Sequence, residues 1–271
     1  MSDTTSPSPA LTPAAFLVRG LLVGLVAGFL AFLAGFAFGE PYVDDAIGLE
    51  EAAAAHLTEE EVAAEEAAAE EAGETTEVSR DAQKTWGLAT GTLAVGTALG
   101  GFTALAAAAC VGRLGSLSAR GTTALVALLG FVAVSAVPFW KYPATPPAVG
   151  NPDSIGSRTT AYFALLLISV LAVIAAVVLA NRLRARFDGF TSVVLAAAAY
   201  LVVVVAAGYL LPAVDELGAF PADTLWDFRR GSLLTLMTLW AAIGVGLTYA
   251  IGALHDRVTA DAERKALAAS L

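Results

Sequence analysis

Six apolar runs alternate with polar segments along the chain: Phe16–Phe38, Trp86–Val111, Gly121–Trp140, Thr160–Ala180, Phe190–Leu211 and Ser232–Leu254. Each is close to or above the ~20 residues that carry an α-helix across the hydrocarbon of a bilayer. Ala, Leu and Gly dominate them, and none alternates with the period of two expected of a membrane barrel strand. The pattern predicts an all-α integral membrane protein with a bundle of six transmembrane helices; a five-helix count is the alternative. The first run is longer than the ~7–15-residue apolar core of a signal peptide, so it reads as a retained span. The expected organisation is a disordered tail at 1–15, a membrane domain at 16–254 and a charged tail at 255–271 that forms a short surface helix.

Small residues and breakers refine this frame. Gly20, Gly24 and Gly28 recur every fourth residue of the first span, stripping one helix face so that a neighbouring backbone can approach. The span then reads as ending at Gly39-Glu40-Pro41. Residues 50–77 follow as an insertion of Ala and Glu with eleven glutamates and no Lys or Arg. Its composition favours helix, its like charges three and four apart oppose it, and it reads as a solvated, partly helical arm with His56 on its surface. Between the third and fourth spans runs Phe139-Trp140-Lys141-Tyr142-Pro143-Ala144-Thr145-Pro146-Pro147-Ala148-Val149-Gly150-Asn151-Pro152-Asp153. Its prolines exclude regular helix, and Trp140 and Tyr142 flank a lysine at headgroup level. The stretch reads as a shaped cap on the membrane surface.

Charge sets an expected orientation. With six spans both termini share one side. That side carries Arg19, Arg113, Arg120, Arg182, Arg184, Arg186, Arg257, Arg264 and Lys265 against Asp3, Asp188, Asp256, Asp261 and Glu263. The other side holds the remaining 6 of 15 basic residues and 20 of 25 acids. Short arginine-bearing loops stay cytoplasmic, which predicts a multi-pass plasma-membrane protein with cytoplasmic termini. The net charge of −10 with only three lysines also fits a protein working in high salt, where screening tolerates such density.

Chemistry is sparse. There is no nucleophile elbow, phosphate-binding loop, HExxH or CxxC, so the chain reads as a non-enzyme without a cofactor, and nothing in it suggests nucleic acid. No span carries a charge near its centre; Thr90, Thr97, Thr103, Ser135, Ser169 and Thr235 supply hydroxyls that bond within or between helices. Ionisable groups gather instead at the span ends on the acidic side. Glu40, Asp81, Asp153 and Asp227 are the candidate cation ligands, since carboxylate oxygens suit a hydrated divalent ion. Lys84, Lys141, Arg158 and Arg229 would hold a vestibule by ion pairing, with Trp140, Tyr142 and Asn151 in the cap. The competing reading is purely structural pairing, such as Glu40 with Lys84 or Asp227 with Arg158.

The 139–152 loop resembles the signature loop of the CbtA family of cobalt transporter subunits. The resemblance extends to Gly39-Glu40-Pro41, Ser79-Arg80-Asp81-Ala82-Gln83-Lys84-Thr85-Trp86-Gly87, Ile155-Gly156-Ser157-Arg158-Thr159 and Trp226-Asp227-Phe228-Arg229, and covers Arg19 to about Ala250. It implies a polytopic membrane protein associated with cobalt uptake and a small CbtB-type partner with one span and histidine near its end. Residues 50–77 stand out as an insertion relative to the family pattern. Two histidines and one methionine beyond Met1 cannot supply the nitrogen or sulfur ligands that dehydrated Co²⁺ prefers. The resulting expectation is the membrane subunit of a divalent-cation uptake system, against a structural or assembly subunit with no permeation path of its own.

Overall fold

A computed structural model describes residues 11–55, 78–147, 149–151, 154–214 and 216–270; the first ten residues, most of the acidic arm including His56, and Asp153 lie outside them. Among the described residues seven helices follow in order: α1 (Pro13–Phe38), α2 (Glu40–Ala54), α3 (Arg80–Cys110), α4 (Ala119–Lys141), α5 (Ile155–Leu183), α6 (Gly189–Leu210) and α7 (Ala222–Ala269). All but α2 are long and apolar enough to cross a membrane, so the six-span reading holds and the five-span alternative falls. No strand occurs among the described residues.

Helix α1 lies at the centre, packed along α3 on one side and α7 on the other. Helix α4 closes the group against α7 and, less extensively, against α3. Helices α5 and α6 form an antiparallel pair outside this four-helix group, joined to the far half of α4. A buried Ser169–Tyr200 hydroxyl contact of 2.9 Å ties the pair together. The interior of the main group runs along α7 through Leu239, Ile243, Leu247, Ile251 and Leu254, facing Phe16, Ala27 and Ala31 of α1 and Ala104 and Ala107 of α3.

The glycine face of α1 meets a matching face on α3. Gly20 lies opposite Gly100, Gly24 opposite Gly96 and Gly28 opposite the carbonyl of Thr92. A Cβ on Gly28 would sit 2.5 Å from that carbonyl oxygen, and one on Gly96 would sit 2.6 Å from the Gly28 Cα. No side chain fits between the two backbones, so van der Waals packing in lipid is gained only with glycine.

Three boundaries differ from the sequence reading. The first helix begins at Pro13, capped by the Thr12 hydroxyl, which accepts from the Ala15 amide at 3.2 Å; proline at the start is pre-set for a helix and its missing donor is not needed. Gly39 does not end helical structure: it kinks the chain, and α2 restarts at Glu40 with Pro41 in its first turn. The sixth span and the tail are one helix, Ala222–Ala269, of roughly 72 Å at 1.5 Å per residue. Hydropathy marks where this helix leaves the membrane, but after Gly252 it meets no glycine or proline, so nothing stops it.

Helix α4 carries a π turn at Val132–Ala136, just before the buried Pro138. Proline lacks the amide for the ladder and its ring would press on the carbonyl one turn back; the wider turn relieves both. In the same turn the Ser135 hydroxyl accepts from the Trp240 indole N–H at 2.7 Å, fixing α4 to α7.

Two substitutions on α3 separate backbone contact from ordinary helix propensity. Nothing lies within 4 Å of a Cβ on Gly91, so Gly91→Ala should stabilise the purified protein by a few tenths to ~1 kcal/mol. Gly96→Ala should destabilise it by ~1–3 kcal/mol through overpacking. Thermal unfolding in detergent measures both; equal melting temperatures would count against the close-packed seam.

Candidate functional site

At one end of the bundle the register of the glycine seam continues into charge. Each step of four residues up α1 is a step of four down α3, from Gly20 opposite Gly100 to Gly28 opposite Thr92. Three further steps bring Glu40 opposite Arg80. There the Arg80 guanidinium pairs with the Glu40 carboxylate, and its Nε donates to Asp44 at 2.8 Å. Asp44 stands four residues beyond Glu40, hence on the same face of α2. Lys84 adds a 3.2 Å pair with Asp81 and lies 4.0 Å from Asp44. Gly231 of α7 sits against the Phe38 carbonyl and Gly39, which seats the α1–α2 kink on α7.

Directly below this cluster is a chamber of about 410 Å³. Its walls are mainly apolar and include Gly35, Gly39 and Glu40 at the kink, Ser135 in the π turn of α4 and Phe139 just after it, Ser232 and Thr235 of α7, and Tyr142 and Tyr162. The Glu40 side chain is 13% exposed. The polar side chains on these walls carry oxygen only, a hard ligand set suited to a hydrated cation and not to a stripped transition metal. Among the described residues no group of three or more His, Cys, Asp or Glu side chains is placed to hold a metal.

A second cleft, of about 420 Å³, lies under the cap and shares Tyr142 and Tyr162 with the chamber. The cap is fastened to the segment after α6. The Tyr142 hydroxyl donates to the Pro212 carbonyl at 2.8 Å. The Asn151 amide donates to Glu216 at 2.8 Å, and Arg158 lies 3.3 Å from the same carboxylate. The Arg158 guanidinium fills the space beside Gly150, where φ is +123° and a Cβ would come within 2.5 Å of it, so the position favours glycine twice over. Arg229 Nε donates to the Ala144 carbonyl at 3.4 Å, Trp140 packs on Gly208 of α6, and the Lys141 ammonium lies 5.6 Å from the Tyr142 ring centroid. The Ser154 hydroxyl, the Asn151 amide and Arg158 hold the Glu216 carboxyl below its ordinary pKa, while burial pushes the Tyr142 phenol up.

The sequence-derived candidates therefore separate. Asp153 lies outside the described residues, and of the other three candidate carboxylates Glu40 lines a cleft. Asp81 is 90% exposed on Lys84, and Asp227 pairs with Arg230 on its own helix at 3.1 Å, Arg230 also donating to the Tyr42 hydroxyl at 3.3 Å. The two pairings weighed from sequence do not form: Glu40 takes Arg80 instead of Lys84, and Arg158 takes Glu216 instead of Asp227. Register decides the first, because Arg80 is the residue level with Glu40. The second is decided by the approach of the segment after α6, whose Glu216 no motif marks. Asp44 becomes visible only once residues 40–54 are known to be helical. Of the six hydroxyls noted in the spans, Ser135, Ser169 and Thr235 bond as expected, the last to its own helix at Gly231.

Glu216 gives the cap a pH dependence of definite sign. Its carboxyl is depressed in the folded protein, so its contribution is complete above the usual carboxylate range and is lost as pH falls through the lower folded value. Limited proteolysis within 142–151 should accelerate on acidification below that range, and Glu216→Gln should be cut faster already at neutral pH, with a flatter pH profile.

No curated protein and no solved structure matches the chain. The family model described as Probable cobalt transporter subunit (CbtA) matches residues 14–252, nearly the whole chain. That match takes in the 139–152 loop and all or most of each of the six helices long and apolar enough to cross a membrane, and the protein belongs to the CbtA family of probable cobalt transporter subunits.

Proposed function

We propose that the chain is the membrane subunit of a divalent-cation uptake system, with cobalt the ion its family indicates, and that cations enter through the Glu40 chamber. The observation that carries this reading is a single, largely buried carboxylate at the mouth of a mainly apolar chamber whose few polar side chains carry oxygen only, in a protein whose span centres hold no charge. Arg80 neutralises Glu40 when no ion is bound. An arriving cation exchanges with the guanidinium, which keeps Asp44 as an acceptor. Transport of this kind asks for no catalysis by the chain itself. Positive loops favour the arginine-rich end in the cytoplasm with both termini, so the chamber and the cap face outward at the plasma membrane.

With oxygen ligands only, the chamber handles the ion with its hydration largely kept. A small single-span partner of the CbtB type, bearing histidine, is the natural source of nitrogen ligands for a subunit so poor in them. The competing reading, an assembly subunit with no path of its own, also has support: beneath the chamber Ile243, Leu247 and Ile251 are fully buried and fill the centre of the bundle. Flux through the chain therefore requires α7 to shift against α1.

Radiolabelled cobalt uptake in a deletion strain tests the site. Glu40→Gln should lower uptake by roughly tenfold or more, the scale of one lost charged contact. Asp81→Asn, Asp227→Asn and removal of residues 56–77 should each have smaller effects, and uniform uptake across the four variants removes the assignment. Reconstitution of the chain alone, and then with its partner, separates transport from assembly by metal flux. In a Cys110→Ala background, Leu217→Cys should react with an impermeant thiol reagent in intact cells and Arg186→Cys only after lysis; the reverse pattern inverts the topology.

A further inference from the structure

A larger hollow lies away from the chamber. It is a groove of about 700 Å³ between α4 and α7, opening sideways where the lipid tails would be. Its floor is Ala127 and Gly244, its lips are the exposed Leu128 and Val245, and its walls are almost entirely apolar. Along α7 it runs from Met237 to Tyr249. Twelve residues at 1.5 Å each give roughly 18 Å. The hydrocarbon core is ~30 Å thick, so the groove is about one leaflet deep. A partner's transmembrane helix or a second copy of the chain would need a seam of full membrane depth. One acyl chain needs this length.

The two ends of the groove differ in chemistry. Toward the membrane centre it ends at Met237, about one turn beyond Phe131 and Trp240, whose rings meet edge to face at 6.3 Å. At the basic end it is closed by Arg120, in the first turn of α4 and so at headgroup level. Asp256 accepts from Arg120 at 2.6 Å, and the aliphatic part of the arginine lies over Gly252, where a Cβ would come within 2.5 Å of its Cγ. The side chain is thus held in place while 52% of it stays exposed. Asp256 occupies one of the five guanidinium donors, leaving others for a phosphate.

We propose that the α4–α7 groove is a phospholipid site: one acyl chain fills it to Trp240, and the phosphate of the same molecule sits on Arg120. This inference does not depend on the path proposed for cations. Because Trp240 lines the groove and also donates to Ser135 at the wall of the chamber, the lipid braces the helix that forms both.

Trp240 is its own reporter. In a protein carrying Trp86→Phe, Trp140→Phe and Trp226→Phe, reconstituted with phosphatidylglycerol brominated near the chain ends, Trp240 fluorescence should be strongly quenched although the residue is only 5% solvent-exposed. Gly244→Leu fills the groove without a backbone clash, since its Cβ would lie at an ordinary 3.5 Å from the Ala127 Cβ. It should at least halve the quenching. Native mass spectrometry of the parent protein with phosphatidylglycerol should show one retained lipid, with retention falling roughly tenfold in Arg120→Gln. An unchanged emission maximum in both variants verifies that the fold is kept. Quenching and retention that survive both substitutions overturn the proposal. So does sensitivity to Gly244→Leu alone, which would mean a chain bound without its headgroup. Displacement of the lipid by millimolar inorganic phosphate would mark an anion site instead, and also overturns it.

Discussion

The rest of the molecule depends on the contact between the backbones of α1 and α3. Lipid tails are as apolar as leucine side chains, so helices in a bilayer gain little from hiding apolar surface. They gain from close packing, and Gly20, Gly24 and Gly28 against Gly96 and Gly100 bring two helix backbones into direct contact. Because the two helices run antiparallel with matched steps of four, this seam also fixes what meets at its end. Glu40 and Arg80 face each other beyond the end of that seam, roughly three to six turns from its glycines. A charge pair that would be a weak contributor on an open surface is thereby placed over a chamber, with the Glu40 side chain largely buried.

The chamber owes its far wall to a second backbone feature. Pro138 forces the ladder of α4 to widen, and the widened turn carries Ser135 to Trp240. This places a hydroxyl, in a span without charges, at the level where α4 faces α1 and α7. Below it the packing changes character: branched aliphatic side chains of α7 close the centre completely. The centre of the bundle thus holds a chamber toward its acidic end and is filled by side chains toward its basic end. Such an arrangement suits alternation between two packings of α7 against α1, because a close-packed interior switches between states and does not deform gradually.

The α5–α6 pair stands outside this core and serves the cap. Its connection to α4 runs through Trp140 on Gly208, Tyr142 on Pro212 and the Asn151–Glu216–Arg158 group. These contacts are made almost entirely by loop backbone and side chains near the membrane surface, where water competes. A cover fastened in this way shares no contact with the glycine seam.

Hydropathy and length were enough to determine the six spans, since a helix that must satisfy its own backbone in lipid leaves few alternatives. The four-residue glycine spacing already named the face of α1 that packs, the proline-rich loop already excluded helix, and the family resemblance rested on motifs at four helix ends. Partners across space were another matter. Glu40 with Arg80 required the register of two helices; Glu216 with Arg158 required a loop with no motif to come over the cap; Asp227 and Asp81 looked equivalent to Glu40 until the packing turned them toward their own helices. The reason is physical: a sequence fixes which groups must avoid lipid, because that cost is paid residue by residue, whereas which charge meets which is set by the relative placement of helices, and that is a property of the packed whole.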